Sequence, residues 1–509
     1  MTDPPSNSRE REIEEASLAV EREIEELGDP EGGPSLPSTT LAAQATVSAP
    51  GEIPRRFLGA GSRTREILIL SWPVMLSQVL ISAAGLIDRA MVGRLGGEDS
   101  AVPLAAVGFA TQFFFLIQST LFAVGLACVA LMARAIGAGD PARARGIMAA
   151  SLEVALVTAV VFTVLMWLGG PWALTWLGAT PEVTAAAVPY LNLILGSSVL
   201  MAVALLAESA LRANRNMRTP LAVAIFVTVS KLGVNWLLIF GNWGFPRLEL
   251  VGAGLATVVS QVVAVALLLG FIAKAHRDSP VALRWRDWKG ARTFRGEIVR
   301  IAIPSIAERL VMNGAMLIYF WVLGHYYGTV AVAAYTVGVA LLSFSWIPGT
   351  GYAQSCATLI GQNLGAGKPR EAVRIGWRSA GLALGTSVIL GVVFAVNRTP
   401  LAELFTDDPV VVDALGPFML TLALAQPFLQ LHFTLGGAHR GAGDTWTPLV
   451  AATVGNWLFR VPLALACAIW WETSVVWIWV AIVFDHVSRA AWLTISFARQ
   501  RWLYRLETP

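Results

Sequence analysis

Charged residues are scarce in this chain of 509 residues. They make up 14% of the sequence, against 55% hydrophobic residues and a mean hydropathy of +0.62, whereas an ordinary soluble domain has about 25% charged residues. The net charge of +3 is small and the basic residues are scattered among loops, so nucleic acid is not an expected partner. The composition indicates an integral membrane protein surrounded by lipid.

Cysteine is also rare, and histidine forms no metal motif. Cys128, Cys356 and Cys467 all fall inside apolar segments, so we expect buried free thiols and no disulfide framework. The five histidines show no HExxH or paired-cysteine spacing, so no metal site and no cofactor are predicted. GAGDP (137–141) and GAGKP (365–369) lack the Lys-Ser or Lys-Thr of a phosphate-binding loop. We therefore do not expect an enzyme.

Long apolar runs occupy most of the chain after residue 60. Each is long enough to cross about 30 Å of hydrocarbon as a helix, and no ten-residue alternation typical of a membrane β-barrel is present. The runs lie at about 66–92, 101–133, 146–168, 184–211, 220–241, 250–273, 298–324, 329–360, 375–396, 410–437, 448–470 and 474–497. They predict an all-α membrane protein with twelve transmembrane helices.

The second half of the chain repeats the first. WPVMLSQ (72–78) matches IPSIAER (303–309), and AIGAGDPARAR (135–145) matches NLGAGKPREAV (363–373), each about 230 residues apart. Because each copy has an even number of crossings, the two six-helix bundles are predicted to be related by a pseudo-twofold along the membrane normal. A cleft on that axis, opened to one side at a time by rocking of the bundles, favours a transporter.

Domain boundaries and orientation follow from composition. The predicted regions are a charged, largely disordered tail (1–60), an N-terminal bundle (61–273), a basic linker (274–297), a C-terminal bundle (298–498) and a short tail (499–509). Arginine and lysine concentrate in loops on the side of the N-terminus, which predicts that both termini are cytoplasmic in a multi-pass protein of the cell membrane. No apolar leader with a cleavage site opens the chain.

Several short motifs resemble the multidrug and toxic compound extrusion (MATE) family. They include Asp88 fifteen residues after Pro73, the two GAG loops, Leu-Arg followed by Thr-Pro (211–220), LLIFG (237–241) and, in the C-terminal bundle, FRVP (459–462), DHVSRA (485–490) and RQRW (499–502). The resemblance covers nearly everything after residue 60. It implies export of small organic molecules, often amphipathic cations, driven by protons or sodium ions.

Asp88 is an acid near the end of a long apolar run. A carboxylate in a low-dielectric environment binds a proton more readily than in water, which would suit a coupling site. Pro73 and Asp88 are separated by roughly 22 Å of helix and about four turns, so they lie on nearly one face, and Pro73 is a candidate hinge. In the family, an aspartate at this position carries the coupling ion. The alternative is that Asp88 pairs with a cation near the membrane surface.

One motif departs from the family. Members often carry Asn-x-x-x-Asp in the fifth helix, where this chain has Lys231 and Asn235. If Lys231 faces Asp88, the two groups titrate as a pair, and the ammonium group repels a metal cation. We therefore predict coupling to protons more than to sodium, with Asp88, Lys231 and Asn235 as the coupling residues. A lysine side chain that extends to the cytoplasmic side is the alternative.

The second copy is chemically different. Tyr319 stands where the first copy has Asp88, and Glu308 is its acid, predicted either to meet substrate or to pair with a base. Glu208, Arg212, Arg460, Asp485 and Arg489 form a possible charge network, in which Glu208–Arg212 and Asp485–Arg489 have the spacing of helix ion pairs. Candidate cavity residues are Gln78, Phe114, Tyr190, Asn192, Met316, Tyr319 and Trp346.

These observations favour a monomeric secondary antiporter that exports small organic, amphipathic or cationic molecules in exchange for protons. Three alternatives remain at this stage. Sodium could drive export, the chain could flip a lipid-linked precursor as related fourteen-span proteins do, or it could be a membrane receptor that binds ligand without transport.

Overall fold

The computed structural model describes residues 60–504, apart from 94–100, 177, 277, 283, 285 and 406–407. The predicted N-terminal tail and the last five residues lie outside this range. Within it the chain is almost entirely helical, and no strand occurs in the residues described.

The first half contains seven α-helices and one 3₁₀ turn. They are α1 Ala60–Gly93, α2 Ala101–Gly137, α3 Pro141–Trp176, α4 Pro181–Gly196, α5 Ser198–Ala213, α6 Arg218–Phe240 and α7 Glu249–Ala273, with the 3₁₀ turn Asn242–Gly244 between the last two. Helices α4 and α5 are separated only by Ser197, so together they make one crossing.

The second half contains eight α-helices and several irregular turns. The helices are α8 Asp287–Val322, α9 Gly328–Gly365, α10 Pro369–Val396, α11 Arg398–Glu403, α12 Pro409–Gly441, α13 Trp446–Thr453, α14 Val461–Leu465 and α15 Val475–Ala498. The π-helical turns are Leu323–Tyr327, Val454–Arg460 and Ala466–Trp470, and the chain ends with the 3₁₀ turn Arg501–Tyr504. Helix α8 begins inside the range predicted as a linker.

Twelve stretches of the described residues are long and apolar enough to cross a membrane. Spans 1 to 3 lie in α1 to α3, span 4 in α4 and α5, and spans 5 and 6 in α6 and α7. Span 7 is α8 with its π turn, spans 8 to 10 lie in α9, α10 and α12, span 11 runs from Trp446 to Trp470, and span 12 is in α15. The predicted fold class, twelve helices in two bundles of six, is confirmed.

The two halves start equivalent helices in the same way. Thr180 caps span 4 by accepting a hydrogen bond from the Val183 amide, and a proline follows it at the first helical position. Asp408 caps span 10 by accepting from the Val410 amide, again with proline next. A side-chain oxygen followed by proline satisfies the free amides of a helix start, so the repeat is visible in the capping.

Spans 1 and 7 each pack their first turns against the opposite half. Ile67 and Leu70 of span 1 belong to the same apolar cluster as Cys356 of span 8. Ile298 and Ile301 of span 7 belong to the large cluster of the first half. Each half therefore contributes one helix end to the core of the other, and rocking of the halves must move these ends.

Spans 2 and 8 cross most closely at a pair of glycines. A methyl group on Gly137 would overlap the carbonyl oxygen of Gln362, and a methyl group on Gly365 would overlap that of Arg134. We call this crossing the glycine seam. The seam lies at the ends of spans 2 and 8, just before loops 138–140 and 366–368. Its reciprocal contacts show the pseudo-twofold relation in atomic detail.

A candidate ion-coupling site and a cavity between the halves

The carboxylate of Asp88 in span 1 is held by two side chains of span 5. Lys231 Nζ donates to one oxygen, and Asn235 Nδ2 donates to the other at 2.5 Å. Lys231 and Asn235 are four residues apart, which places them on one face of the helix. The structure thus brings together all three residues that the sequence analysis proposed for ion coupling.

The three side chains differ in their exposure. The side chains of Asp88 and Lys231 are 22% and 23% exposed, so the ion pair is not sealed inside the protein. Asn235 is 1% exposed, and its Oδ1 is buried with no hydrogen-bond partner among the described residues. Tyr190 lies close enough to Asp88 to interact with it electrostatically. The site is therefore half open, with an unused acceptor on its buried side.

The site suits a proton better than a metal ion. A charged Asp88 uses both donors, whereas a protonated Asp88 needs an acceptor, and Asn235 Oδ1 can provide it once the amide group turns over about its Cβ–Cγ bond. A sodium ion would need several oxygen ligands, and here the ammonium group of Lys231 occupies the place beside the carboxylate. No group of three or more His, Cys, Asp or Glu side chains suited to a metal is found in the described residues.

Pro73 lies in the interior of α1 and is buried. Proline has no amide hydrogen, so the helix loses one intrahelical hydrogen bond here. Ser77 Oγ donates to the Pro73 carbonyl at 2.8 Å. Two residues earlier, Ser71 Oγ is 2.7 Å from Ser355 Oγ of span 8. The weakened turn thus sits beside the contact between span 1 and the second half.

A second charged cluster lies deep in the second half. Arg460 stacks over the Tyr319 ring at 4.4 Å, donates to the Tyr335 hydroxyl at 2.7 Å and lies 3.7 Å from Asp485. Arg489 donates twice to Asp485, at 2.5 and 2.9 Å. The Asp485 side chain is 0% exposed. Three members of the predicted charge network are thus joined, while Glu208 and Arg212 form a separate pair at 2.6 Å.

Glu308 pairs with Arg440 of span 10 at 2.5 Å. Arg440 is not among the residues predicted from the sequence, although the internal repeat points to it. Arg440 stands where the first copy has Arg212, and Arg212 is itself paired with Glu208. Arg309 was not predicted either, although it matches Gln78 of the first copy, which was a candidate cavity residue.

A cavity of about 100 Å³ lies between the halves. Its first-half lining comes from Phe122, Gly125, Leu126, Val129, Ser209 and Arg212, and its second-half lining from Glu308, Arg309, Met312, Thr350, Ala353, Gln354, Ala357, His432, Phe433, Gly436, Gly437, Arg440, Pro448, Ala451, Ala452, Arg489 and Leu493. Sites for drug-sized ligands measure roughly 300–1,000 Å³. The halves must separate further to admit such a molecule.

The predicted cavity residues do not line this space. Tyr319 is fully buried, and its hydroxyl donates to the Ile478 carbonyl at 2.6 Å. Trp346 packs on Phe433 at 6.3 Å between ring centroids, and Phe114 and Tyr190 pack on the core of the first half. Gln78, Asn192 and Met316 are partly buried elsewhere. Residue type alone did not reveal which face of each span points to the axis.

Comparisons with known proteins agree with this architecture. The family model described as MatE matches residues 73–237 and again 304–466, which is more than half of the chain. The chain is 26% identical over 445 residues to the probable multidrug resistance protein NorM of Thermotoga maritima, covering 86% of this chain and 93% of that protein. It is 29% identical over 460 residues to the NorM protein of Rhizobium meliloti, with the same coverage.

Solved structures show the same fold. The crystal structure of a variant of VcmN, a Vibrio cholerae MATE transporter, superposes with a TM-score of 0.79 at 22% identity, covering 87% of this chain and 99% of that one. The two matches of the family model begin at Pro73 and Pro304, the prolines of spans 1 and 7, so the repeat seen in the sequence coincides with the family's own unit.

Proposed function

This chain belongs to the MatE family of multidrug efflux transporters, and on that premise we propose that it is a secondary antiporter that exchanges protons for small organic molecules. The observation that carries the proposal is the contact of Asp88 with Lys231 and Asn235. It supplies one site for an exchangeable proton, partly exposed at the surface of the protein, within an apolar helix.

The proton step follows from the partners of Asp88. In the charged state, Lys231 and Asn235 hold the end of span 1 against span 5. When Asp88 takes up a proton, its attraction to the ammonium group falls, and the Asn235 amide can accept from the new hydroxyl. Span 1 and span 5 are then held by a neutral hydrogen bond in place of an ion pair, which makes their separation easier.

Span 1 connects this site to the interface between the halves. Its first turns pack against span 8, and Asp88 lies 22 residues beyond Glu66, roughly 33 Å along the helix. Pro73 lies between the two contacts. We propose that release of the Asp88 end lets span 1 bend at Pro73, and that the bend alters the packing of its first turns on the second half. Alternating access is the result.

Sodium coupling is the less favoured driving force, because the ammonium group of Lys231 stands where oxygen ligands would be required. Lipid flipping is also less favoured, because the relatives carry names of multidrug resistance proteins. We further propose a location in the cell membrane, both termini in the cytoplasm, a monomer as the transporting unit, and the five regions described from the sequence.

The test is dye export by cells that produce wild type or Asp88→Asn, with and without a protonophore. We expect the variant, like the protonophore, to raise dye accumulation to the level of cells without the protein. Asp413→Asn is the matched control, because Asp413 is an exposed carboxylate in span 10, and it should export normally.

Reconstituted protein distinguishes the driving ion. An imposed pH gradient should drive dye uptake into vesicles, and an imposed sodium gradient at equal pH on both sides should not. Uptake driven by sodium alone would contradict the proton step, and an Asp88→Asn variant that still responds to the pH gradient would contradict the role of Asp88.

A further inference from the structure

The cavity between the halves is lined by more positive than negative groups. Its lining includes four arginines, Arg212, Arg309, Arg440 and Arg489, and one acid, Glu308. Three of these arginines have a carboxylate partner: Arg212 pairs with Glu208, Arg440 with Glu308, and Arg489 with Asp485. Each of these three carboxylates is thus already engaged by an arginine of the cavity wall.

Arg309 is the arginine of the lining without such a partner. No carboxylate of the described residues lies within 4.0 Å of its guanidinium group, which instead sits 5.6 Å above the centre of the Phe122 ring. It is close enough to Glu308 to be attracted by that carboxylate and, more weakly, close enough to Arg440 to be repelled by it, but Glu308 forms its ion pair with Arg440. Arg309 is partly buried and reaches the cavity from span 7 of the second half, opposite span 2.

A second donor is also unused. The Nε atom of Arg440 is buried and has no hydrogen-bond partner among the described residues, although the same side chain donates to Glu308 through another nitrogen. A guanidinium donor away from water is costly when it is unpaired. The cavity therefore presents two guanidinium groups with free capacity to bind an acceptor.

The remaining wall is apolar. Phe122, Leu126, Met312 and Phe433 surround the charged groups. An apolar wall with a few convergent polar groups is typical of sites for small organic ligands, and guanidinium groups bind carboxylates in a planar, two-point geometry. A cationic group placed here would instead face the guanidinium group of Arg309, which has no ion-pair partner within 4.0 Å among the described residues.

We propose that the cavity, once the halves have separated enough to admit a ligand, binds an amphipathic organic anion, with the anionic group on Arg309 and the Nε side of Arg440 and the apolar body against Phe122 and Met312. This inference names a substrate class for the transporter proposed above and rests on that function. It opposes the cationic substrate that the family resemblance suggests.

Binding and transport are measured with two probes on the full-length protein. Carboxyfluorescein is the anion and ethidium the cation. Fluorescence anisotropy should show that carboxyfluorescein binds more tightly than ethidium, that Arg309→Gln weakens its binding about tenfold or more, and that Arg309→Lys retains part of it. Arg300→Gln is the matched control, because Arg300 is exposed on the same helix, and it should bind as wild type does.

The outcomes separate the two proposals. If ethidium binds more tightly and Arg309→Gln changes neither dye, the anion inference is wrong, while gradient-driven ethidium transport would still support the antiporter. If carboxyfluorescein binding depends on Arg309 but no dye crosses in response to a pH gradient, the binding site stands and the proposed antiport is wrong. Loss of binding in Arg300→Gln as well would overturn the assignment to Arg309.

Discussion

The two halves place a basic side chain at equivalent positions and balance its charge differently. Lys231 and Arg460 lie about 230 residues apart, as do Asp88 and Tyr319. In the first half the cation meets an acid directly. In the second half it meets an aromatic ring, and the acid, Asp485, comes from a different span.

Exposure follows the same division. The Asp88 and Lys231 side chains are about one quarter exposed, whereas Asp485 is completely buried between two arginines. The first pair is open to the outside of the protein, as the proton exchange proposed above requires. The second cluster has no such access, and its acid balances two guanidinium groups at once. The duplicated fold thus holds one position suited to ion exchange and one suited to holding the helices together.

The largest expected effect is the difference between two single variants, in which the acid of each half is replaced by asparagine. Asp485→Asn leaves Arg460 and Arg489 buried without a countercharge, which costs about 3–5 kcal/mol and should lower the apparent melting temperature by roughly 3–5 °C, or prevent folding. Asp88→Asn leaves an acceptor for Lys231 at a partly exposed site and should cost less than about 1 kcal/mol. Thermal unfolding of both purified variants measures this. Equal melting temperatures of the two variants would show that the two acids contribute equally to stability, which contradicts the proposed difference between the halves.

An intermediate effect is expected at the glycine seam, where the halves are alike. Gly137→Ala and Gly365→Ala should each slow dye transport several-fold and to a similar extent, because each methyl group would overlap a carbonyl oxygen of the other span. Gly169→Ala and Gly381→Ala are controls, since nothing lies within 4 Å of the added carbon. Initial rates of dye uptake into vesicles give the comparison. If either seam variant took up dye at the wild-type rate, the two glycines would not make equivalent contacts.

The smallest effect concerns Arg215, which binds Glu66 at 2.5 Å and also donates to Gln362 of the second half. Burial lowers the pKa of Arg215, and the nearby Glu66 carboxylate opposes this change. The guanidinium group stays charged at ordinary pH, so Glu66→Gln leaves a partly buried charge without its carboxylate partner and should cost about 1 kcal/mol or less.

The apparent melting temperature should then fall by roughly 1 °C, and the fall should be the same at neutral and mildly alkaline pH, because the Arg215 guanidinium group stays charged throughout. Glu297→Gln is the matched variant, because Glu297 holds the equivalent position in the second copy and forms no ion pair in the described part of the chain. It should leave the melting temperature unchanged. An equal fall in both variants would contradict the role of the Glu66 contact.

The fold was predictable because length and apolar composition decide it. Twelve helical runs, their grouping into two sixes and the internal repeat all follow from the sequence, since each span must satisfy its own backbone in lipid. The contact of Asp88 with Lys231 and Asn235 was predicted as one of two alternatives for Lys231. Charged groups inside apolar helices are few and must find partners, which made this contact predictable.

The cavity was not predictable in the same way. Spans that are apolar on every face give no periodic signal of which side meets the axis, so Phe114, Trp346 and Tyr319 were chosen by type and lie elsewhere. Arg440 was overlooked because it lies at the end of span 10, where an arginine resembles a loop anchor. Arg309 lies in the middle of span 7 and was not considered beside its neighbour Glu308. Matching them to Gln78 and Arg212 in the other copy would have drawn attention to both.

The glycine seam carries one further consequence. The atoms that meet at Gly137 and Gly365 belong to the main chain, so none of them can gain or lose charge. The tightness of this crossing is therefore indifferent to acidity and to salt. An ion gradient can therefore act on the seam only through movement of the helices. The free energy needed to separate spans 2 and 8 at the seam is the same whichever ion drives that movement.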